Sequence, residues 1–440
     1  MYSLLGIFLI GSILVGEISS QLTLEDRDKV KWASSPFEND TSIRTFTIKF
    51  DQEVVADLRR RLSQKRRPFV RLEGINWEYG LNPDILDYWI DYWNNKYNFT
   101  QQEAVLNTYT HYLTNIQGLD IHFLHIKPQV TDGCKVVPML LLHGFPGSVR
   151  EFYRALPLLT AGCHNGIALE IVAPSLPGFG YSDPATIPEF GGTEIGTVMV
   201  NLMKRLGFNQ FYVQGGDWGS IICSMMATLY PNVILGYHTN FPLSLSELSL
   251  AAWWAGSVNP TNLVDASLQS RMFPFVAQMK RLLSLTGYLH MQSTKPDTLG
   301  IALTDSPISL LTYYLMLLAR GGTSQFSNEE LLDNLMIYWI KNKFTTAARL
   351  YAESFNVRNL REALYAKTTA VPVRTVHAQN EVIYQSEAIL RLKYTNIQNA
   401  TALTQYGHFL AMEAPQAFSQ LVLDAMAGFE SVASGTCNKA

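Results

Sequence analysis

The chain has 440 residues, and a composition that is 47% hydrophobic and 16% charged is typical of a large globular core rather than a disordered chain. Its length allows two or three structural units. The formal net charge of −3 lacks the basic excess of nucleic-acid-binding proteins, so no nucleic-acid partner is expected.

The N-terminal segment is the first distinctive feature along the chain. Leu4–Val15 is almost wholly apolar, yet shorter than the roughly 20 residues that span a membrane. It has the length of a signal-peptide core, and Ile18–Ser20 is a passable cleavage site. Residues 1–20 are therefore predicted to be a signal or anchor segment that enters the secretory membrane. The sequence leaves open whether this segment is cleaved or is retained as a membrane anchor. Sequons at Asn39, Asn98 and Asn399 would accept glycans if the protein body is lumenal.

The four cysteines show no zinc-binding pattern. Cys223 lies within a predicted helix and reads as a small buried hydrophobe. Cys134 and Cys163 each precede a predicted strand. The corresponding ends of parallel strands lie at the same edge of a sheet, so a disulfide between these two cysteines is a hypothesis.

The elements before residue 130 are short and varied. Val54–Arg67 is predicted to be a basic helix, which favours a solvated face over contact with an anionic membrane surface. Asp84–Trp93 and Gln101–Leu113 are predicted to be helices, and the alternating Leu119–Ile126 a strand.

From Val136 onward, strands alternate with helices, which indicates a parallel sheet and an α/β fold. The alternation stops at about residue 241 and resumes at about 369. The intervening aromatic, helical region is expected to cover the carboxyl edge of the sheet, where α/β proteins form pockets. The predicted strands are Val136–Leu142, Leu169–Ala173, Phe211–Val213, Ile234–Thr239, Val371–Val376 and Thr395–Thr404; the predicted helices are a Ser148-capped helix to Leu159, Thr197–Leu206, Ser220–Tyr230, Leu310–Leu318, Leu331–Lys343 and Ala414–Ala427.

The stretch Gly215–Gly219, GGDWG, joins a predicted strand to a predicted helix. This is the setting of a nucleophile elbow, in which glycines two before and two after the nucleophile allow a sharp turn. A plain Gly-Asp turn is the alternative interpretation of the five residues alone. Asp217 stands at the nucleophile position.

An Asp nucleophile constrains the chemistry. A carboxylate is already ionised at neutral pH, so its attack needs no adjacent base. Attack on a saturated carbon, as in an epoxide or a haloalkane, gives an ester that water can cleave. A Ser nucleophile would leave a stable ether. Asp217 therefore disfavours ester or peptide cleavage.

The partners of Asp217 follow from chain order. An α/β-hydrolase places its acid after a late strand and its His after the last strand. Glu381 and His408 stand at those positions, whereas the competing His377 precedes the acid. The backbone N–H groups of Phe145 and Trp218 would form the oxyanion hole.

Four separated motifs, HGFPGS at His143–Ser148, GGDWG, GYLHMQSTKPDT at Gly287–Thr298 and YGHFL at Tyr406–Leu410, together resemble the microsomal-type epoxide hydrolases, and within them the insect juvenile hormone epoxide hydrolases. The resemblance runs from about residue 44 to 428. It implies an N-terminal arm (44–130), an α/β-hydrolase core (131–240 and 369–440) and a helical cap (241–368). It also implies an endoplasmic-reticulum or microsomal location, with secretion after signal cleavage as the alternative.

The resemblance further implies the roles of individual residues. Tyr288 and Tyr351 match two cap tyrosines that protonate the epoxide oxygen, and Glu381 matches the family's charge-relay acid. Asp217 would be the nucleophile and His408 the general base. The expected substrate is a small lipophilic epoxide, with no metal or organic cofactor. A haloalkane dehalogenase-like hydrolase and a non-catalytic hormone-binding relative stay as alternatives, and oligomeric state stays open.

Overall fold

A sheet of nine strands forms the centre of the part of the protein that the structure, a computed structural model, describes. The described residues are 23–36, 40–64, 72–130, 133–318 and 326–433. The predicted signal or anchor, the Asn39 sequon and the predicted end of the basic helix lie outside them. The strands are β1 Arg44–Phe46, β2 His111–Ile116, β3 Leu119–Ile126, β4 Lys135–Leu142, β5 Ile167–Pro174, β6 Phe211–Gly215, β7 Ile234–Thr239, β8 Val373–His377 and β9 Ile397–Ala402.

The strand order is β1-β2-β3-β5-β4-β6-β7-β8-β9. The first three strands and β5 pair antiparallel, and β4 to β9 pair parallel. The predicted mostly parallel sheet is therefore confirmed. Each parallel strand ends at the same edge, so the loops that follow β4, β6, β8 and β9 come together there.

The apolar sequence of β4 explains its central place. Met139 and Leu141 pack in one hydrophobic cluster, whereas Leu140 and Leu142 pack in another. Alternate residues point to opposite faces of a strand, so both faces of β4 are buried. Burying one such side chain contributes about 1.5–3 kcal/mol.

Helices cover both faces of the sheet and fill the interval between β7 and β8. No single helix among the described residues is long and apolar enough to cross a membrane. The helices are Leu24–Lys29, Gln52–Leu62, Leu86–Asp91, Phe99–Leu106, Leu156–Leu159, Gly192–Arg205, Asp217–Leu229, Glu247–Ala255, Phe275–Leu285, Gly287–Thr294, Pro296–Asp305, Pro307–Leu318, Asn328–Ile340, Phe344–Ser354, Val357–Glu362, Glu387–Leu390, Leu410–Glu413 and Pro415–Ala433, with shorter 3-10 or π turns at Pro83–Ile85, Tyr92–Lys96, Val149–Phe152, Pro260–Asn262 and Ala266–Arg271.

The predicted helix Gln101–Leu113 is wrong in its second half, because Phe99–Leu106 is followed by β2. Asn107 ends the helix, and its amide donates to the carbonyl oxygens of Ile48 and Glu103. β2 then pairs with β3 across Gln117 and Gly118, both at positive φ. Two such residues form the type of turn that matches hairpin twist.

Two other predicted helices are interrupted. The structure divides Asp84–Trp93 into a 3-10 turn, an α-helix and a π turn. After Ser148, which caps through a hydrogen bond from the Arg150 backbone N–H, a 3-10 turn replaces the long helix, and a new helix begins only at Leu156. Pro157 has no N–H for a helical bond, which explains this break.

The predicted disulfide between Cys134 and Cys163 is confirmed, with Cα atoms 5.9 Å apart. It links the segments before β4 and β5 and closes a loop with a sequence separation of 29.

Replacing both cysteines with serine is expected to lower the free energy of unfolding by about 3–4 kcal/mol, because the unfolded chain regains the entropy of that loop. Denaturant titration with and without reductant measures the effect. A double variant as stable as the oxidised parent would contradict the prediction.

Candidate active site

The Asp217 backbone forms a tight bend between β6 and the helix Asp217–Leu229. Its φ of +47° lies in the left-handed region, which side chains other than Gly seldom adopt. A Cβ at Gly215 would overlap the Gly219 backbone, and a Cβ at Gly219 would overlap the Leu142 carbonyl. The two glycines therefore let the bend pack against β4, and Asp217 is held at the carboxyl edge of the sheet.

Three predicted catalytic residues meet at this edge. His408 donates from Nε2 to Asp217 Oδ2 at 3.2 Å and from Nδ1 to Glu381 Oε1 at 2.7 Å. Glu381 Oε1 also accepts the Val382 backbone N–H at 2.6 Å. Glu381 therefore fixes the orientation of the imidazole, while the other ring nitrogen faces the nucleophile.

The three groups set one another's charge. Burial alone would raise the pKa of Asp217, but the hydrogen bond and charge of His408, with backbone N–H groups of Phe145 and Trp218, hold it below its ordinary value. Burial opposes the protonation of His408, yet the charges of Glu381 and Asp217 raise the pKa of His408 well above its ordinary value. The resting site is thus an ionised Asp beside an imidazolium.

The predicted oxyanion donors contact the same carboxylate. The Phe145 N–H donates to Asp217 Oδ1 at 2.8 Å, and the Trp218 N–H also bonds to Asp217. Oδ1 of Asp217 therefore accepts the Phe145 N–H, and Oδ2 lies beside His408.

The loop that carries Phe145 is fixed by the helix Asn328–Ile340. Asn334 donates to the Pro146 carbonyl oxygen at 2.6 Å and also bonds to Ser148. Tyr338 donates to the Gly147 carbonyl oxygen at 3.1 Å. These buried contacts fix the position of the loop through its neighbouring residues, so the Phe145 N–H stays available to donate to Asp217.

A cavity of about 150 Å³ opens onto Asp217 and His408. Tyr288 and Tyr351 both line it, from different helices, and their rings meet edge to face with centroids 5.9 Å apart. The Tyr351 hydroxyl is buried without a hydrogen bond of ordinary geometry to the described residues. The other walls are largely apolar: Phe145, Pro146, Trp218, Ile221, Phe241, Leu243, Leu245, Leu282, Thr286, Leu289, Leu317, Phe355, Val382, Ile383 and Phe409.

The competing His377 lies away from this arrangement, at the end of β8. Its ring packs against Tyr384, and its Nε2 has no hydrogen-bond partner among the described residues. Burial lowers the pKa of His377 to about 3. Nor do the described residues contain a group of three or more His, Cys, Asp or Glu side chains suited to a metal ion.

Glu413 is a positioning residue that sequence reasoning missed. Its carboxylate accepts the Gly407 N–H at 2.6 Å and the Phe409 N–H at 3.1 Å, on the two sides of His408. Burial raises the pKa of Glu413 to about 7. Nothing in the sequence distinguishes Glu413 from other surface carboxylates, and only the pairing of its two oxygens with these amides reveals its position beside His408.

Replacing Glu413 with Gln is expected to lower kcat roughly 10- to 100-fold, because an amide group would face one of the two backbone donors and shift His408. Steady-state kinetics and a thermal melt measure the effect. Glu430→Gln is the matched control: Glu430 lies on the final helix, Pro415–Ala433, and accepts from Tyr212 and Lys135, away from His408. An equal loss in both variants would contradict a role for Glu413 at His408.

Comparison with known proteins agrees with this geometry. A profile described as "Epoxide hydrolase N terminus" matches residues 43–152, and one described as "alpha/beta hydrolase fold" matches residues 137–286. The juvenile hormone epoxide hydrolase of Bombyx mori is 44% identical over 90% of this chain and 88% of its own length. Epoxide hydrolase 1 of Sus scrofa is 36% identical over 87% of this chain and 88% of its own length.

The crystal structure of the Bombyx mori juvenile hormone epoxide hydrolase superposes with a TM-score of 0.89 at 43% identity, over 92% of this chain and 99% of that chain. The α/β-hydrolase fold expected from the sequence is therefore confirmed. With this similarity over most of its length, the chain belongs to the epoxide hydrolase family and is a hydrolase that acts on epoxides.

Proposed function

We propose that this enzyme converts lipophilic epoxides to vicinal diols through a covalent ester on Asp217. The observation that supports the proposal is that the two oxygens of this carboxylate have different environments: Oδ1 accepts the Phe145 N–H, and Oδ2 lies beside His408. In the first step Oδ2 attacks a ring carbon and the carbon–oxygen bond of the epoxide breaks. Tyr288 and Tyr351 lie in the same cavity, and one of them gives its proton to the opened oxygen.

In the second step water attacks Cγ of the ester and His408 takes a proton from it. Negative charge develops on Oδ1, where each backbone donor contributes roughly 3–4 kcal/mol. The bond from Cγ to Oδ2 then breaks. Oδ2 leaves in the diol with a proton from His408, and the regenerated Asp217 acid returns its proton to the tyrosinate.

Esterification also changes the state of His408. The charge of Asp217 is one of the causes that raise the pKa of His408, and the ester removes this charge. The pKa of His408 therefore falls once the ester forms, so the imidazolium of the resting site gives its proton to solvent and becomes the neutral base that the second step needs. It takes a proton back from solvent when the charge of Asp217 is restored at the end of the cycle.

A single turnover in ¹⁸O-labelled water tests the two-step mechanism. The label is expected in the side chain of Asp217, as a mass shift of about 2 Da in the peptide that contains it, with an unlabelled diol, because water attacks the ester carbonyl. Label in the diol alone would contradict the ester.

We further propose that the substrates are long, apolar epoxides such as juvenile hormone or dietary xenobiotic epoxides. The walls of the large cavity are mainly apolar, which suits an apolar ligand, and the few polar groups in it lie at the reaction centre. The Bombyx mori relative is called a juvenile hormone epoxide hydrolase, which favours the hormone. Diol formation measured in parallel on juvenile hormone and styrene oxide tests this; a kcat/KM at least 10-fold higher for styrene oxide would contradict it.

We also propose that the N-terminal segment directs the enzyme to the endoplasmic-reticulum membrane, with the protein body in the lumen. Two observations support this location: the Cys134–Cys163 disulfide belongs to oxidising compartments, and the sequon residues Asn98 and Asn399 are exposed. Cell fractionation with protease protection, and a glycosidase mobility shift that Asn98→Gln and Asn399→Gln reduce, test it. Cytosolic, unglycosylated protein would contradict it.

A further inference from the structure

A second cavity adjoins the nucleophile and the base. It measures about 20 Å³, enough to hold a water molecule, and shares Asp217, His408 and Phe409 with the large cavity. Its remaining walls differ from those of the large cavity, and they include two polar side chains, Glu151 and Asn240. The Asp217 carboxyl and the His408 ring are therefore reached from an apolar space and, separately, from a partly polar one.

Glu151 is the polar group that the proposed mechanism leaves unused. It follows the loop that carries Phe145, and a Cβ at Gly147 would overlap its Oε2. Burial, and to a smaller extent the charge of Asp217, raise the pKa of Glu151 well above its ordinary value. No hydrogen bond joins its side chain to the described residues, so its carboxyl oxygens keep their capacity to accept. The Glu151 side chain is half-buried, and the part of a polar group that is removed from bulk water costs stability unless something bonds to it.

Asn240 supplies a donor to the same cavity. Its Oδ1 accepts from Gln214 Nε2 at 2.9 Å, which points the amide nitrogen elsewhere. That Nδ2 lies beside Gly216, where a Cβ would crowd it. A buried water needs two to four polar partners. Glu151, Asn240 and Nε2 of His408 are three such partners around one cavity.

We propose that this second cavity holds the water that hydrolyses the Asp217 ester, and that Glu151 is the positioning residue that accepts a hydrogen bond from it. The inference rests on the proposed ester mechanism. The water oxygen bonds to Cγ of Asp217, one of its protons passes to His408 Nε2, and its other O–H is directed to Glu151. The lone pair then faces the ester carbonyl, while the large cavity holds the alkyl group.

The test separates ester formation from ester hydrolysis in the full-length enzyme with styrene oxide. Glu151→Leu keeps the side-chain size and removes the acceptor, and Glu151→Gln keeps an acceptor oxygen. Rapid quenching with intact-mass detection gives the rates of adduct formation and decay. For Glu151→Leu we expect decay to slow roughly 10- to 100-fold while formation changes less than about 3-fold, so that kcat and KM fall together and kcat/KM is kept. Glu151→Gln is expected to stay within about 5-fold of the parent in both steps.

The rates of adduct formation and decay in the Glu151 variants decide whether this residue positions the water. Equal losses of formation and decay in Glu151→Leu would show that Glu151 only shapes the oxyanion loop, and parent-like decay would show that it holds no water; either overturns the inference. If Glu151→Leu unfolds, Glu151→Ala, which also removes the acceptor, takes its place with the same expected selective slowing of decay, and parent-like decay in it would overturn the inference. Failure of the ester mechanism is distinguishable, because His408→Gln would then accumulate no adduct under the same quench.

Discussion

Replacing His408 with Gln is expected to trap the enzyme as an ester on Asp217. Ester formation uses a carboxylate and a tyrosine proton, whereas ester hydrolysis needs the base, so only the second step loses its catalyst. We expect kcat to fall roughly 10³- to 10⁴-fold. Intact-mass spectrometry after substrate addition should show an increase equal to the mass of one epoxide.

Two features of the site shape this experiment. Burial raises the pKa of Asp217 and His408 helps to keep it low, so the assay belongs at about pH 8, well above the ordinary pKa of a carboxyl group. His377→Gln is the matched control, because this second buried histidine lies outside the site and should turn over without an adduct. Substrate consumption by His408→Gln with no adduct at any time would contradict the two-step mechanism.

Replacing Tyr288 and Tyr351 together with Phe is expected to have the second large effect, on the first step. Without a proton donor, the oxygen of the opened ring stays on the substrate as an unprotonated alkoxide. Each single variant should form ester roughly 10- to 100-fold more slowly, and the double variant at least about 10³-fold more slowly, because either hydroxyl can serve when the other is absent. Single-turnover adduct formation measures the rate.

Tyr181→Phe provides the control for this pair, since its hydroxyl is also buried without a partner among the described residues but does not line the large cavity. It should form ester at the parental rate. A double Tyr288/Tyr351 variant that forms ester within about 10-fold of the parent would contradict proton donation by the cap.

Whether a strand could be predicted depends on whether its own sequence carries a recognisable pattern. β4 was predicted to within one residue because its second half is a continuous apolar run, as expected of a strand that is buried on both faces. β2 was missed because its pattern follows a helix without a Gly or Pro boundary, and β1 because three residues carry no period.

The site divides in the same way. Asp217 could be predicted because its elbow is local and has a backbone requirement, and Glu381 and His408 because chain order in the fold specifies them. Tyr288 and Tyr351 have no local signature among 21 tyrosines, and only the family resemblance singled them out. Glu151 and Glu413 had no signal at all, since their significance depends on which amides and cavities the tertiary fold places beside them.

The helix Asn328–Ile340 bears on how a bulky guest reaches the reaction centre. Asn334 and Tyr338 bond to the oxyanion loop, and Asp333 accepts from Arg150 Nε at 2.8 Å just beyond it. A rigid movement of the cap away from the core would break these hydrogen bonds and displace the Phe145 N–H from Asp217. A route of admission and release that leaves the helix Asn328–Ile340 in place would keep the Phe145 N–H aligned with Asp217.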